Sequence, residues 1–151
     1  VRLIAVGRLR AGPEAELFER YNTRLRPRLS VTEVPDGHGA PAEIKRREAE
    51  AVLAALPADA CAVALDLGAP ALSSEQFAQK LETWLAGGQP VTFLIGGAEG
   101  FAKPVLDRAN HVFSLGPLTW PHMLVRVMLA EQIFRARAIA SGHPYHRAGR
   151  P

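Results

Sequence analysis

Residues 61–67 and 90–95 are apolar at nearly every position, not at every second one, and 111–115 makes another strand. A strand with one wet face alternates, whereas a strand that is apolar throughout needs cover on both faces. Segments with helical spacing separate these runs. Further strands are expected at 2–6 and near 29–34. One helix starts at Pro13, a residue suited to a first turn, and sets Leu17, Phe18, Tyr21 and Leu25 on one face. After a loop over 35–41, a second helix turns Ile44, Ala51, Val52 and Ala55 inward, and Lys45, Arg46, Arg47, Glu48 and Glu50 mostly outward. Ser73 with Gln76 matches a capping box ahead of Phe77, Leu81, Trp84 and Leu85. A short helix begins near Lys103-Pro104, and the last one covers 122–140, with Gly142 placed to stop it. The pattern predicts an α/β fold, one mostly parallel sheet with helices on both faces. With 151 residues and neither repeat nor linker, a single domain over 1–151 is expected.

No apolar run approaches the roughly 20 residues that cross a bilayer. The apolar run at 2–6 is too short for the core of a signal peptide and reads as a strand. Cys61 is the single cysteine, which favours a reducing, cytoplasmic setting. The net charge of +3 is unevenly spread. Residues 1–28 hold seven Arg against three Glu, and 122–151 hold five Arg against one Glu, while the middle is acidic. Basic ends suit a polyanionic partner, and equally a solvated basic surface.

Ligands of parallel sheets collect beyond the carboxyl ends of the strands. Two such places stand out. Gly96-Gly97-Ala98-Glu99-Gly100 follows a buried strand, and glycine lets backbone approach a ligand with no Cβ in the way. It also suits an ordinary tight turn. It is not the dinucleotide fingerprint, and the chain has no phosphate loop. In Gly116-Pro117-Leu118-Thr119-Trp120-Pro121 two prolines stiffen the backbone, and its free polar groups suit a flat heterocycle. Trp120 either covers that ligand or packs in the core.

Taken together, Leu-Ile-Gly-Gly-Ala-Glu-Gly (94–100), Ser-Leu-Gly-Pro-Leu-Thr-Trp-Pro-His (114–122), Leu-Val-Arg-Val (124–127), Ala-Glu-Gln-Ile-Phe-Arg-Ala (130–136) and His-Pro-Tyr-His-Arg (143–147) resemble the ribosomal RNA large subunit methyltransferase H family of the SPOUT superfamily. Order, spacing and length agree over nearly the whole chain. The resemblance implies a C-terminal trefoil knot, a homodimer, and S-adenosylmethionine as methyl donor. It implies as target N3 of a pseudouridine in helix 69 of 23S rRNA, on an assembled ribosome. Family cofactor contacts carry over to Leu65, Gly97, Gly116, Pro117, Leu118, Thr119, Trp120 and Pro121.

A uracil-type N3 bears a proton that has to leave, so a base or a charge stabiliser is expected near the acceptor. The candidates are His122, Glu131, Arg135, Tyr145 and His146, with Arg126, His143 and Arg147 expected on RNA. His122 also suits a plain helix start. Glu131 and Arg135 stand one turn apart, a pairing worth about 0.3–0.5 kcal/mol on an ordinary helix. Theirs is apolar on most sides, which points to a subunit contact or the edge of an active site. The tail 143–151 is expected to serve RNA binding or methyl transfer. No metal is expected, since no carboxylate adjoins the His143/His146 pair. Two other classes stay open: a non-enzymatic ribosome-binding factor with this fold, and a nucleotide-dependent oxidoreductase.

Overall fold

The computed structural model describes residues 1–150. The elements run β1 (Arg2–Val6), α1 (Pro13–Asn22), β2 (Ser30–Val34), α2 (Pro41–Ala55), β3 (Cys61–Leu65), α3 (Ser74–Ala86), β4 (Val91–Ile95), α4 (Lys103–Arg108), β5 (His111–Phe113) and α5 (His122–Ala140). The five strands form one sheet in the order β2-β1-β4-β3-β5, and every pairing is parallel. The α/β architecture and the alternation of elements are those expected from the sequence.

The sheet separates two cores, and the pleat decides which residues enter each. Leu3, Ala5, Val63, Phe93 and Ile95 point into a core shared with Phe18, Phe77, Leu81, Trp84 and the α5 residues Leu129 and Ile133. Their neighbours Ile4, Val6, Ala62, Ala64 and Leu94 point the other way, against Val52 of α2 and Val105 of α4. Helices α1, α3 and α5 therefore cover one face, and α2 and α4 the other. Double cover explains the unbroken apolar runs, since β4 is buried at all five positions. Edge strand β2 is exposed at four of five positions. The capping box of α3 forms in full: Gln76 N–H donates to Ser73 Oγ, and Ser73 N–H donates to Gln76 Oε1.

Three expectations need correction. The strands expected over 61–67 and 111–115 stop at Leu65 and Phe113, two residues early. Asp66 leaves the ladder, its carboxylate accepting from Gly68 N–H in a turn. Leu25 lies past the end of α1, yet its side chain still enters the core. Glu48 does not face outward. It is 5% exposed, on the stripe that runs through Ile44 and Val52 at four-residue spacing.

Candidate functional site

At the carboxyl ends of β3, β4 and β5 three loops converge on a cleft of about 370 Å3. Leu65, Asp66 and Leu67 supply one wall, Ile95 through Phe101 the second, and Ser114 to Gly116 with Leu118 to Trp120 the third, with His122 and Val125 from α5 closing the end. This volume and its mixture of apolar side chains with exposed backbone suit a small-molecule site. The two glycine-bearing loops, 20 residues apart in sequence, thus border a single space. Of the positions expected to hold a cofactor, Leu65, Gly97, Gly116, Leu118, Thr119 and Trp120 line it, whereas Pro117 and Pro121 flank it.

Two glycines are fixed by geometry. Gly116 has φ +105°, a conformation that strains any residue with a Cβ. A Cβ on Gly97 would stand 2.8 and 3.0 Å from the carboxylate oxygens of Glu48 and 3.1 Å from Val6 Cγ1, closer than such atoms pack. Trp120 is 40% exposed and Leu118 66%, so Trp120 is no structural core residue; both stand at the mouth of the cleft.

The remaining candidates form a second cluster. Tyr145 Oη donates to Glu131 Oε1 at 3.0 Å, and the same oxygen accepts from Arg135 Nε at 3.0 Å and Nη2 at 2.6 Å. Gln132 Nε2 donates to the other oxygen, Glu131 Oε2. Arg135 Nη1 lies 3.1 Å from His146 Nδ1, and His146 Nε2 lies 2.8 Å from Glu75 Oε1. A guanidinium only donates, so Nδ1 is the acceptor and Nε2 carries the proton given to Glu75. Tyr145 packs edge-on against Phe134, with centroids 4.8 Å apart, and Arg24 lies over the Phe134 ring. The tail thus folds back onto α5 and the start of α3.

Burial, then the Glu131 hydrogen bond and charge, push the Tyr145 phenol above its ordinary range. Tyr145 is therefore a neutral donor at physiological pH. Burial works against the Arg135 charge, but hydrogen bonding and attraction to Glu131 outweigh it and raise its pKa. The hydrogen bond from His146 holds the Glu75 carboxyl below its ordinary value.

His122 lines the cleft, whereas Glu131 stands nine residues further along α5, about 13 Å at helical rise. Glu131 lines a second cavity of about 360 Å3, which shares Ser114 and Leu115 with the first. His143 and Arg147 are exposed beyond this cluster. Pro151, the last residue of the tail, lies outside the described residues.

Arg126, expected on RNA, is instead buried in this chain. It is 1% exposed, and its guanidinium donates to Glu33 Oε2 at 2.7 Å, Val6 O at 3.0 Å and Gly7 O at 2.6 Å. Glu33 Oε2 also accepts Leu9 N–H, so the group ties α5 to the outgoing ends of β1 and β2. Sequence reasoning missed Glu33 as the partner of Arg126, and it missed the burial of Glu48 on α2. The helical spacing of Glu48 from Ile44 and Val52 was the available signal; Glu33, on an exposed strand, offered none. Among the described residues, no group of three or more His, Cys, Asp or Glu is placed to hold a metal ion, and no helix is long and apolar enough to cross a membrane.

Comparison with known proteins converges on one family. The family model described as predicted SPOUT methyltransferase matches residues 1–146. The ribosomal RNA large subunit methyltransferase H of Gluconacetobacter diazotrophicus is 64% identical over 151 residues, covering 100% of this chain and 99% of its own length. The protein of that name from Acidiphilium cryptum is 54% identical, covering 100% and 96%, and that from Rhodospirillum centenum is 51% identical, covering 97% of each. Both the converging loops and the full-length similarity lead to one assignment: the chain belongs to the ribosomal RNA large subunit methyltransferase H family of SPOUT methyltransferases.

Proposed function

We propose that this protein uses S-adenosylmethionine to methylate N3 of a pseudouridine in helix 69 of 23S rRNA, on the assembled ribosome in the cytoplasm. The observation that carries the reading is the convergence of the Gly97 and Gly116 loops with Leu65 on one cleft. The residues present fit such a cofactor. Gly97 and Gly116 offer backbone without side chains, Leu65 and Leu118 offer apolar walls, and Thr119 adds polar groups to the rim. When bound, the cofactor supplies an already activated methyl, so the chain's own task is alignment and handling of the acceptor proton.

Tyr145, Arg135 and His146 serve that second task. Glu131 already accepts three hydrogen bonds on one oxygen and one on the other, so it is no free base. It orients Arg135 and Tyr145 as donors that stabilise an imide losing its N3 proton. His143 and Arg147 lie exposed beside them and take the RNA backbone. His122, the first residue of α5, lines the cleft.

The separation between cleft and tail cluster favours a homodimer in which each tail works at the other subunit's cleft. Met123, Leu124 and Met128 on α5 are only half-buried in one chain, as an apolar subunit contact requires. Mass spectrometry of 23S rRNA from cells lacking the protein tests the proposal. The N3-methyl mark should be absent from helix 69 and return on complementation; a retained mark refutes it.

A further inference from the structure

Among the described residues, Glu48 is a buried carboxylate in no ion pair. It is 5% exposed, Oε1 accepts one hydrogen bond from Gly37 N–H at 3.0 Å, and Oε2 has no hydrogen-bond partner among the described residues. The nearby arginines Arg46 and Arg47 pair with Glu43, and Arg46 also with Glu50, on the exposed side of α2. Burying a carboxylate without an opposite charge or a full set of hydrogen bonds is strongly unfavourable.

The carboxylate stands directly behind Gly97. Both of its oxygens lie within 3.0 Å of the place where a Cβ on that residue would project, while the backbone of Gly97 lines the cleft. One glycine therefore separates the unpaired Glu48 side chain from the ligand space. Among the described residues no Lys or Arg lines the cleft to oppose it, and its acidic lining residues are Asp66, half-buried, and Glu99, exposed. A field of one sign reaching a small site through thin, poorly polarisable backbone discriminates between ligands of different charge.

We infer that Glu48 is a charge-selecting residue of the cleft: its carboxylate acts through the Gly97 window, from behind the lining, to favour a cationic sulfonium ligand over the neutral thioether left when the methyl has gone. This rests on the cofactor reading above. S-adenosylmethionine and S-adenosylhomocysteine share every group except the methyl and its accompanying positive charge, so their affinity ratio isolates the effect. The device promotes exchange of spent for fresh cofactor without touching either.

Calorimetric titration of the full-length protein with each ligand tests it, using wild type, Glu48→Gln and Glu48→Ala. Glu48→Gln should weaken S-adenosylmethionine binding about fivefold or more and change S-adenosylhomocysteine binding less than twofold. Glu48→Ala, which leaves space rather than an amide against Gly97, should shift the ratio in the same direction, and it decides the matter if the glutamine variant does not fold. Equal weakening of both ligands, or no change in either, overturns the inference in favour of a packing role. Wild type that binds neither ligand would instead refute the cofactor reading itself.

Discussion

Replacing Arg126 with Met keeps an unbranched side chain of similar reach in the core and removes only the guanidinium. In the wild type that group makes three charge-assisted hydrogen bonds, one to Glu33 and two to the carbonyls of Val6 and Gly7. Hydrogen bonds to charged groups contribute about 1.5–3 kcal/mol each, and breaking a buried pair costs about 3–5 kcal/mol. Two terms reduce that loss: the Glu33 side chain is 36% exposed and can rehydrate, and Met needs no partner for a buried charge. A net destabilisation of about 2–3 kcal/mol follows. For a chain of this size each kcal/mol moves Tm by about 2–4 °C, so unfolding by calorimetry should begin about 5–10 °C lower. Because the guanidinium never reaches the surface, the salt dependence of rRNA binding by the folded variant should match wild type. A variant within about 0.5 kcal/mol of wild type that has instead lost roughly one unit of salt slope would refute the clamp and restore Arg126 as a phosphate contact.

Four further outcomes are expected. Tyr145→Phe keeps the edge contact with Phe134 but loses the donor to Glu131, so methyl transfer should fall at least about tenfold while stability changes by only about 1 kcal/mol; unchanged turnover would remove Tyr145 from the chemistry. Deleting residues 143–151 should abolish methylation and leave a folded dimer, as sedimentation and circular dichroism would show. Gly116→Ala forces a Cβ onto φ +105°, costing about 1–3 kcal/mol at the loop, and should weaken S-adenosylmethionine binding in titration without unfolding the chain. Finally, burial tends to raise the Glu33 pKa, but Arg126, Leu9 N–H and Arg8 outweigh it and hold it below its ordinary value. Its contribution is therefore present above the ordinary carboxylate range, near pH 4, and is lost as pH falls through the lower folded value. The stability gap between wild type and Arg126→Met should be constant at neutral pH and narrow in acid.

The sheet was legible because its strands are covered on both faces: apolar runs such as 91–95 leave little choice but a parallel sheet between helices. Strand ends were less legible, since Leu67 and Leu115 are apolar yet lie beyond the ladder, serving the cleft instead. The two glycine-bearing loops declared themselves by composition, and the fold brings them together. What stayed hidden were buried charges. Arg126 and Glu48 look like surface residues in any polarity count; partners far away in sequence account for the burial of Arg126, whereas Glu48 is met only by the N–H of Gly37. The tail cluster was legible as chemistry but not as place, because nothing in 143–147 indicates that Tyr145 and His146 return to Glu131 and Glu75 rather than to the cleft.

Transfer of a tritiated methyl from S-adenosylmethionine to ribosomes purified from cells lacking this protein tests the central claim most directly. Purified protein should place the label in helix 69 of 23S rRNA, and a bulky replacement at Gly97 should stop the transfer while the protein still binds ribosomes. Ribosome binding without any incorporated label would contradict the account and leave a binding factor in the enzyme's place.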